Sequence, residues 1–412
     1  MLLRARILLP ISSPPIADAA VLISGARVAA LGRWRDFSRA IAQPAADLGE
    51  VILLPGLVNA HCHLDYTDMA GQPPPKQFPD WIKGLLARKA AAGYTDYAQA
   101  WLRGAAMLLR AGVTTVGDIE AVPELLPEVW SSTPLRVASF LELTCVRSRR
   151  EPAAILRDAA AKIAELRPEP GFVGLSPHAL YSTTPDLLRA SAELAARHHW
   201  RLTMHVAESI DEFDMYARAR GPLHDWLQNQ RDMSDCGHGT PLEQVRRCGL
   251  LDERFLAIHA NYLQPADVGA LAQSRSSVVH CPRSHAYFRH QPFPYEALAA
   301  AGVNVCLGTD SLASVAPARR PGPELNLFTE MQTFAKAHPG AEPGEILRLA
   351  TCNGARALGL QGSAGEIAPD SFADLIAIPY HGDISQAETA VVHHRGPVAC
   401  SMIDGQWVVG KG

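Results

Sequence analysis

Between residues 51 and 311 the chain carries eight short apolar, β-branched runs, most of them followed by a helical pattern or by turn residues. They begin near Val51 (VILLPGLVNAHCHL), Gly112 (GVTTVGDI), Leu135 (LRVASFLELT), Gly171 (GFVGLSPHAL), Arg201 (RLTMHVAES), Phe255 (FLAIHANYL), Ser276 (SSVVHCPRSH) and Val303 (VNVCLGTDS). The stretches between them include strong helix formers, such as residues 98–111 (AQAWLRGAAMLLRA) and 185–196 (PDLLRASAELAA). Strand then helix, repeated eight times over ~260 residues, predicts an α/β fold of the (β/α)8 TIM-barrel type. A doubly wound open sheet is the competing arrangement, but no Gly-x-Gly-x-x-Gly follows the first run.

The two ends read differently. Residues 1–50 give short strands with turns (VLISGARVAALG), and residues 366–412 do the same (ADLIAIP, AVVHHRG, SMIDGQWVVGKG), with Asp404-Gly405 as a hairpin signal. The expectation is a small β-sandwich domain built from both termini, residues 1–54 with 362–412, around a barrel over residues 55–361. Arg4 and Arg6 precede apolar residues as in a signal peptide, but Pro10, Pro14, Pro15 and Asp18 interrupt the stretch, which reads as a first strand and turn. Pro73 to Pro75 mark a loop after the first barrel strand.

Composition narrows the class. Of 412 residues, 48% are hydrophobic and 19% charged, enough apolar surface to fold into a globule. The net charge of -4 argues against a nucleic-acid or anionic-membrane surface, and no run of ~18 apolar residues is present to span a bilayer. Cysteines 62, 145, 236, 248, 281, 306, 352 and 400 include no Cys-x-x-Cys pair, so reduced thiols in a cytoplasmic protein are expected. These readings leave an enzyme as the question.

The chemistry lies at the ends of the predicted strands, which in a barrel line the active site. The first ends in His61-Cys62-His63, the fourth in His178, the fifth in His205 with Glu208, the sixth in His259, the seventh in His280 and His285, and the eighth in Asp310. On a strand, His61 and His63 face the same side ~6.6–6.8 Å apart, and Cys62 faces away. With His205 and Asp310 at other strand ends, they place three nitrogens and one carboxylate around one centre, suited to one borderline-soft divalent ion. Such a site has room for a water whose pKa the ion lowers toward ~7.

In order along the chain, PGLVNAHCHL from Pro55, PHALY from Pro177, HVAES from His205, HCPRS from His280 and GTDS from Gly308 resemble the amidohydrolase superfamily, in its branch of nucleobase and nucleoside deaminases and triazine hydrolases. The resemblance covers nearly the whole chain. It implies that His61, His63, His205 and Asp310 hold a single metal, zinc or, alternatively, iron. Some binuclear members carry a bridging lysine where this chain has His178, so one ion is expected. It further implies Glu208 as proton shuttle to a ring nitrogen, His259 as the residue that polarises the attacking water, and Asp310 as second base.

For the substrate, the resemblance makes His178 and Tyr181 face base and ribose, with Phe78 and Trp81 as a cap and Ser311 beside Asp310 as a further contact. The Trp81 indole suits either ring stacking or packing, and Arg283 suits either a carboxylate clamp at the mouth or an outward salt bridge. The segments CPRS, AES and GTDSLAS resemble aminofutalosine deaminases more than cytosine deaminases, while Cys62 and His285 depart from the pattern. The implied reaction is hydrolytic deamination of an amino-substituted purine nucleoside with release of ammonia. The alternatives are a chlorohydrolase or cyclic amide or amidine hydrolase on the same site, and a metal-free binding scaffold. The expected partner is a small heterocyclic substrate, not nucleic acid or membrane, with a homodimer allowed by the resemblance. His198, His199, His224, His238, His290, His338, His381, His393 and His394 read as surface, loop or helix residues, of which His238 or His290 is placed to line the mouth.

Overall fold

A computed structural model describes residues 1–37, 45–148, 150–166, 172–317 and 322–410. Gly171, where the fourth run was placed to begin, and Lys411 and Gly412 lie outside the described residues. In chain order the strands are β1 (Leu2–Leu8), β2 (Ile16–Ser24), β3 (Arg27–Arg33), β4 (Ala45–Asp47) and β5 (Val51–Pro55), then β6 (Leu57–Cys62), β7 (Val113–Glu120), β8 (Arg136–Leu143), β9 (Phe172–Pro177), β10 (Leu202–Val206), β11 (Phe255–His259), β12 (Ser277–His280) and β13 (Asn304–Leu307), and last β14 (Leu375–Pro379), β15 (Cys400–Ile403) and β16 (Gln406–Val409).

Strands β6 to β13 pair in sequence order, all parallel, as the eight apolar runs predict. The sheet closes where Cys62 bridges Asp310 and where the Thr309 and Asp310 amides donate to the His61 carbonyl at 3.0 and 3.2 Å. Asn59 and Thr309 lock the same seam reciprocally: the Asn59 amide donates to Thr309 Oγ1 at 2.8 Å and its carbonyl oxygen accepts from the Thr309 amide at 3.0 Å. Gly308 is required here, because a Cβ would stand 2.8 Å from the His61 carbonyl oxygen. Val58, Ile119, Phe140, Leu256, Ile258 and Val279 fill the barrel interior, which is a packed core and not a channel.

The termini form one mixed sheet in the order β16-β15-β14-β5-β1-β2-β3, with β4 on β1. The first apolar run is two strands: β5 pairs with β14 in this sheet, and β6 opens the barrel after Gly56. The Asp404-Gly405 hairpin is present, with both residues at positive φ (50° and 74°), the requirement of a tight two-residue turn. The AVVHHRG segment, predicted as a strand, instead begins inside a helix, Ala387–Val392, whose Val391 and Val392 face the core. A short apolar run does not distinguish the two by itself. His393 and His394 follow that helix. The described cysteines are all free and, apart from Cys352, buried. No helix among the described residues is long and apolar enough to cross a membrane.

Candidate metal centre and active site

At the C-terminal mouth of the barrel lies a cavity of about 840 Å³ lined by His63, His178, Tyr181, His205, Glu208, His259, Asp310 and Ser311 at its floor. Its wall is helix Phe78–Ala91, which contributes Trp81, Ile82, Leu85 and Lys89, facing Trp226 and Leu227. The two sides meet where the Lys83 ammonium lies 5.2 Å over the Trp226 ring.

Backbone irregularities aim several of the floor residues. Val58 and Ala60 pack inside the barrel, so strict alternation would turn His61 outward; an irregular register between Asn59 and Cys62 shifts the pleat by one. Leu256 and Ile258 likewise point inward, and the positive φ of His259 (69°) and Ala260 (48°) breaks the pleat where His259 would otherwise leave the site. Ala207 and Asp310 also have positive φ, 50° and 52°. Left-handed backbone at four non-glycine positions costs of order 1–3 kcal/mol each, and its concentration here marks a functional site.

The His63 and His205 Nε2 atoms face each other at 3.2 Å. His205 Nδ1 lies 2.9 Å from the His178 carbonyl, which makes Nδ1 the protonated nitrogen and leaves Nε2 a bare lone pair. Both nitrogens of His61 are buried without a hydrogen-bond partner, and its Nε2 stands 3.6 Å from Asp310 Oδ1, itself 3.8 Å from His63 Nε2. The donor atoms of His61, His63 and His205 lie within 4.8 Å of one another, as do those of His61, His259 and Asp310. Ligands on bonds of ~2.0–2.1 Å in a tetrahedron sit about 3.4 Å apart, so these separations and the orphaned His61 nitrogens fit one divalent ion.

Charge states agree with that fit. Burial, with help from His61, pushes His63 down to about 3, and burial pushes His205 well below its usual value, so both imidazoles are neutral donors. Burial by itself raises a carboxyl, yet the imidazoles of His61 and His259 hold Asp310 well below its ordinary range. Glu208 goes the other way: burial, then the Asp310 charge, pushes it well above 4.5. Its Oε1 is 3.6 Å from His259 Nε2, and burial brings that imidazole down to about 3.

Glu208 is fixed by its main chain. Its amide donates to Glu212 Oε2 at 2.8 Å and its carbonyl accepts from the Asn261 amide at 2.9 Å. Ser209 caps helix Ile210–Arg218, accepting from the Glu212 amide at 3.1 Å.

Of the expected substrate contacts, His178, Tyr181, Trp81 and Ser311 line the cavity. The Trp81 indole donates to the Ala313 carbonyl at 3.1 Å. Phe78 is packed behind it, 5.8 Å from Trp81, 6.2 Å from Tyr181 and 5.5 Å from Phe288 between ring centres. Arg283 is not brought to the cavity. Its Nε and backbone amide donate to the two oxygens of fully buried Glu330, at 2.5 and 2.9 Å, and its Nη1 donates to the Glu324 carbonyl at 2.9 Å. The salt-bridge alternative is the geometry observed.

His280, His285 and His290 also lie off the cavity lining. Val279 and Cys281 face inward, so alternation sends His280 outward, where it stacks 3.8 Å from the Phe293 ring. Residues missed by sequence reasoning are Lys89, Glu142 and Arg147, all of which line the cavity. Glu142 sits two residues beyond the inward-facing Phe140, a period-two signal that points it to the mouth.

The amidohydrolase family model matches residues 52–408 of this chain. An aminodeoxyfutalosine deaminase of Deinococcus radiodurans is 30% identical over 351 residues, 82% of this chain and 81% of its own. A 5-methylthioadenosine/S-adenosylhomocysteine deaminase of Syntrophobacter fumaroxidans is 29% identical over 374 residues, 88% of this chain and 80% of its own. Among solved structures, an adenosine deaminase of Xanthomonas campestris with bound zinc superimposes with a TM-score of 0.84 at 25% identity, over 99% of this chain and 92% of its own. The aminofutalosine deaminase of Helicobacter pylori, solved with methylthio-coformycin, shares the fold with a TM-score of 0.88 at 20% identity, over 99% and 100% of the two chains. This chain belongs to the amidohydrolase family.

Proposed function

We propose that the protein is a metal-dependent hydrolase that deaminates an amino-substituted purine nucleoside and releases ammonia. His61, His63, His205 and Asp310 hold the ion, for which zinc is expected. When bound, it supplies Lewis acidity and an activated water at neutral pH. The observation that carries the reading is the meeting, in one cavity, of the candidate ion site formed by His61, His63, His205 and Asp310 with Glu208, whose Oε1 stands 3.6 Å from His259 Nε2.

Glu208 gives its proton to the ring nitrogen next to the amino-bearing carbon, which makes that carbon electrophilic. Water adds there, Asp310 takes a proton from it at the carboxylate, and neutral His259 orients the adding oxygen. Asp310 then passes its proton to the amine, which leaves as ammonia, and the added hydroxyl returns its proton to Glu208 as the carbonyl forms. Expelling ammonia needs a proton on the departing amine that a halide does not need, so the buried acid–base pair of Glu208 and Asp310 favours deamination over the chlorohydrolase alternative. Names of the relatives support a purine nucleoside carrying a 5′ substituent. For a substrate with a carboxylate tail, exposed Arg147 is the cavity cation without an ion pair among the described residues, and it replaces Arg283 in that role.

The test is ammonia release by zinc-loaded protein from aminofutalosine, adenosine, S-adenosylhomocysteine and methylthioadenosine. Turnover of at least one is expected, falling roughly 10²–10⁴-fold in Glu208→Gln with metal content unchanged. Silence on every adenine nucleoside overturns the reading, and an unchanged rate in Glu208→Gln moves the shuttle elsewhere.

A further inference from the structure

Glu142 is a charged group inside the cavity that the reaction above does not use. It belongs to β8, whose Leu141 and Leu143 face outward into the barrel wall, so the pleat turns Glu142 toward the mouth, where it lines the cavity beside His63 and His178. Its Oε1 is anchored by Lys89 Nζ at 3.4 Å. Lys89 also donates to the Tyr66 hydroxyl, and the Tyr66 ring lies parallel to His63 at 5.0 Å. Oε2 takes no hydrogen bond from any described residue. The result is a carboxylate with one oxygen paired to Lys89 and the other with lone pairs for whatever fills the cavity.

Its position names what it meets. Two strands, β9 and β10, separate β8 from β11, so Glu142 and His259 lie well apart around the mouth. Glu208, His259 and Asp310 gather about the reacting carbon, whereas Glu142 stands past His178 of the β9 end, on the side that the resemblance gives to the base edge and the ribose. On an adenine nucleoside the remote edge of the base offers acceptors and C–H groups only. The donors there are the sugar hydroxyls, and an open carboxylate oxygen accepts one or two O–H groups. We infer that Glu142 is a specificity residue that accepts hydrogen bonds from the sugar hydroxyls through Oε2, selecting ribonucleosides over their deoxy analogues and over free bases.

This inference rests on the purine nucleoside reading, and one experiment separates the two. The zinc-loaded enzyme and its Glu142→Gln variant are compared on adenosine, 2′-deoxyadenosine, 3′-deoxyadenosine and 2′,3′-dideoxyadenosine. A hydrogen bond to a charged group corresponds to roughly 10–100-fold, so the wild-type kcat/KM is expected to fall by that factor from adenosine to the dideoxy compound, mostly through KM. In Glu142→Gln the ribose-to-dideoxy ratio is expected to shrink at least about fivefold, with adenosine losing and the dideoxy compound nearly unaffected, and zinc content unchanged. A wild-type ratio near one overturns the inference whether or not the variant folds. A ratio that survives Glu142→Gln unchanged overturns it too, while leaving the deaminase standing. No turnover of any of the four by the wild type overturns the inference, and silence on aminofutalosine, S-adenosylhomocysteine and methylthioadenosine as well removes the nucleoside reading with it.

Discussion

Ser314 donates to Asp310 Oδ2 at 2.6 Å, which leaves Oδ1 as the oxygen turned toward His61 and His63. A ligating carboxylate is oriented by such partners, and their loss typically costs 10–100-fold in metal affinity or activity. Ser314→Ala is therefore expected to lose zinc to a competing chelator at roughly 10–100-fold lower chelator activity, with the far-ultraviolet dichroism unchanged. Equal retention by the two proteins would remove Ser314 from the site. At this scale the sequence was readable where a residue type has few uses. His-x-His at a strand end, with a histidine and an aspartate at other strand ends, serves little but a metal. Arg283 was not readable in the same way, because its partner Glu330 lies 47 residues away and no local pattern announces it. Lys89 was hidden for the same reason, being one of several cations on a helix until the fold sets it against Glu142 and Tyr66.

At the scale of elements, the helix starting at Ile210 does more than cross between strands. Its first turn carries Glu212, fully buried, which receives the Glu208 amide and so holds Glu208 in place. Burial pushes Glu212 up to about 7, against an ordinary 4.5. A raised acid pKa means the folded state holds the proton more tightly than the unfolded chain. This group thus favours folding most below pH 4.5, and that contribution is lost as pH rises through about 7. Glu212→Gln cannot titrate, so its melting temperature relative to the wild type is expected to rise as pH goes from 4.5 to 7.5 and then level off. A constant difference over that range would contradict the assignment. The eight barrel strands were legible because each is a buried apolar run between helix formers. The division of the first run into β5 and β6 was not, since both halves are equally apolar and only their partners differ. The shifts of pleat at Asn59–Cys62 and at His259 were also invisible, being backbone events at residues with no special composition.

For the molecule as a whole, one arginine ties the barrel to the terminal sheet. Arg136, at the start of β8 and 1% exposed, pairs with Asp374 at 3.3 Å and Asp404 at 2.6 Å and lies 3.6 Å over the Phe372 ring. Removing one side of a buried pair leaves the other charge uncompensated, at a cost of about 3–5 kcal/mol. Arg136→Met is expected to lose stability of that order in urea, while the folded fraction keeps its kcat. Adding Asp374→Leu should recover much of the loss. If Arg136→Met unfolds at the wild-type midpoint, the pair contributes nothing to joining the two parts.

The seam of the barrel sets a clock on the enzyme. Asn59 and Thr309, which stitch β6 to β13 beside His61 and Asp310, are separated by 250 residues of chain. Translation at ~5–20 residues per second puts roughly 12–50 s between the emergence of the two sides. For that interval the paired histidines exist on a nascent chain with no aspartate to join them. A chain that stops between β12 and Asp310 carries most of the barrel strands but lacks the carboxylate at the seam, so activity reports a chain extended past β13.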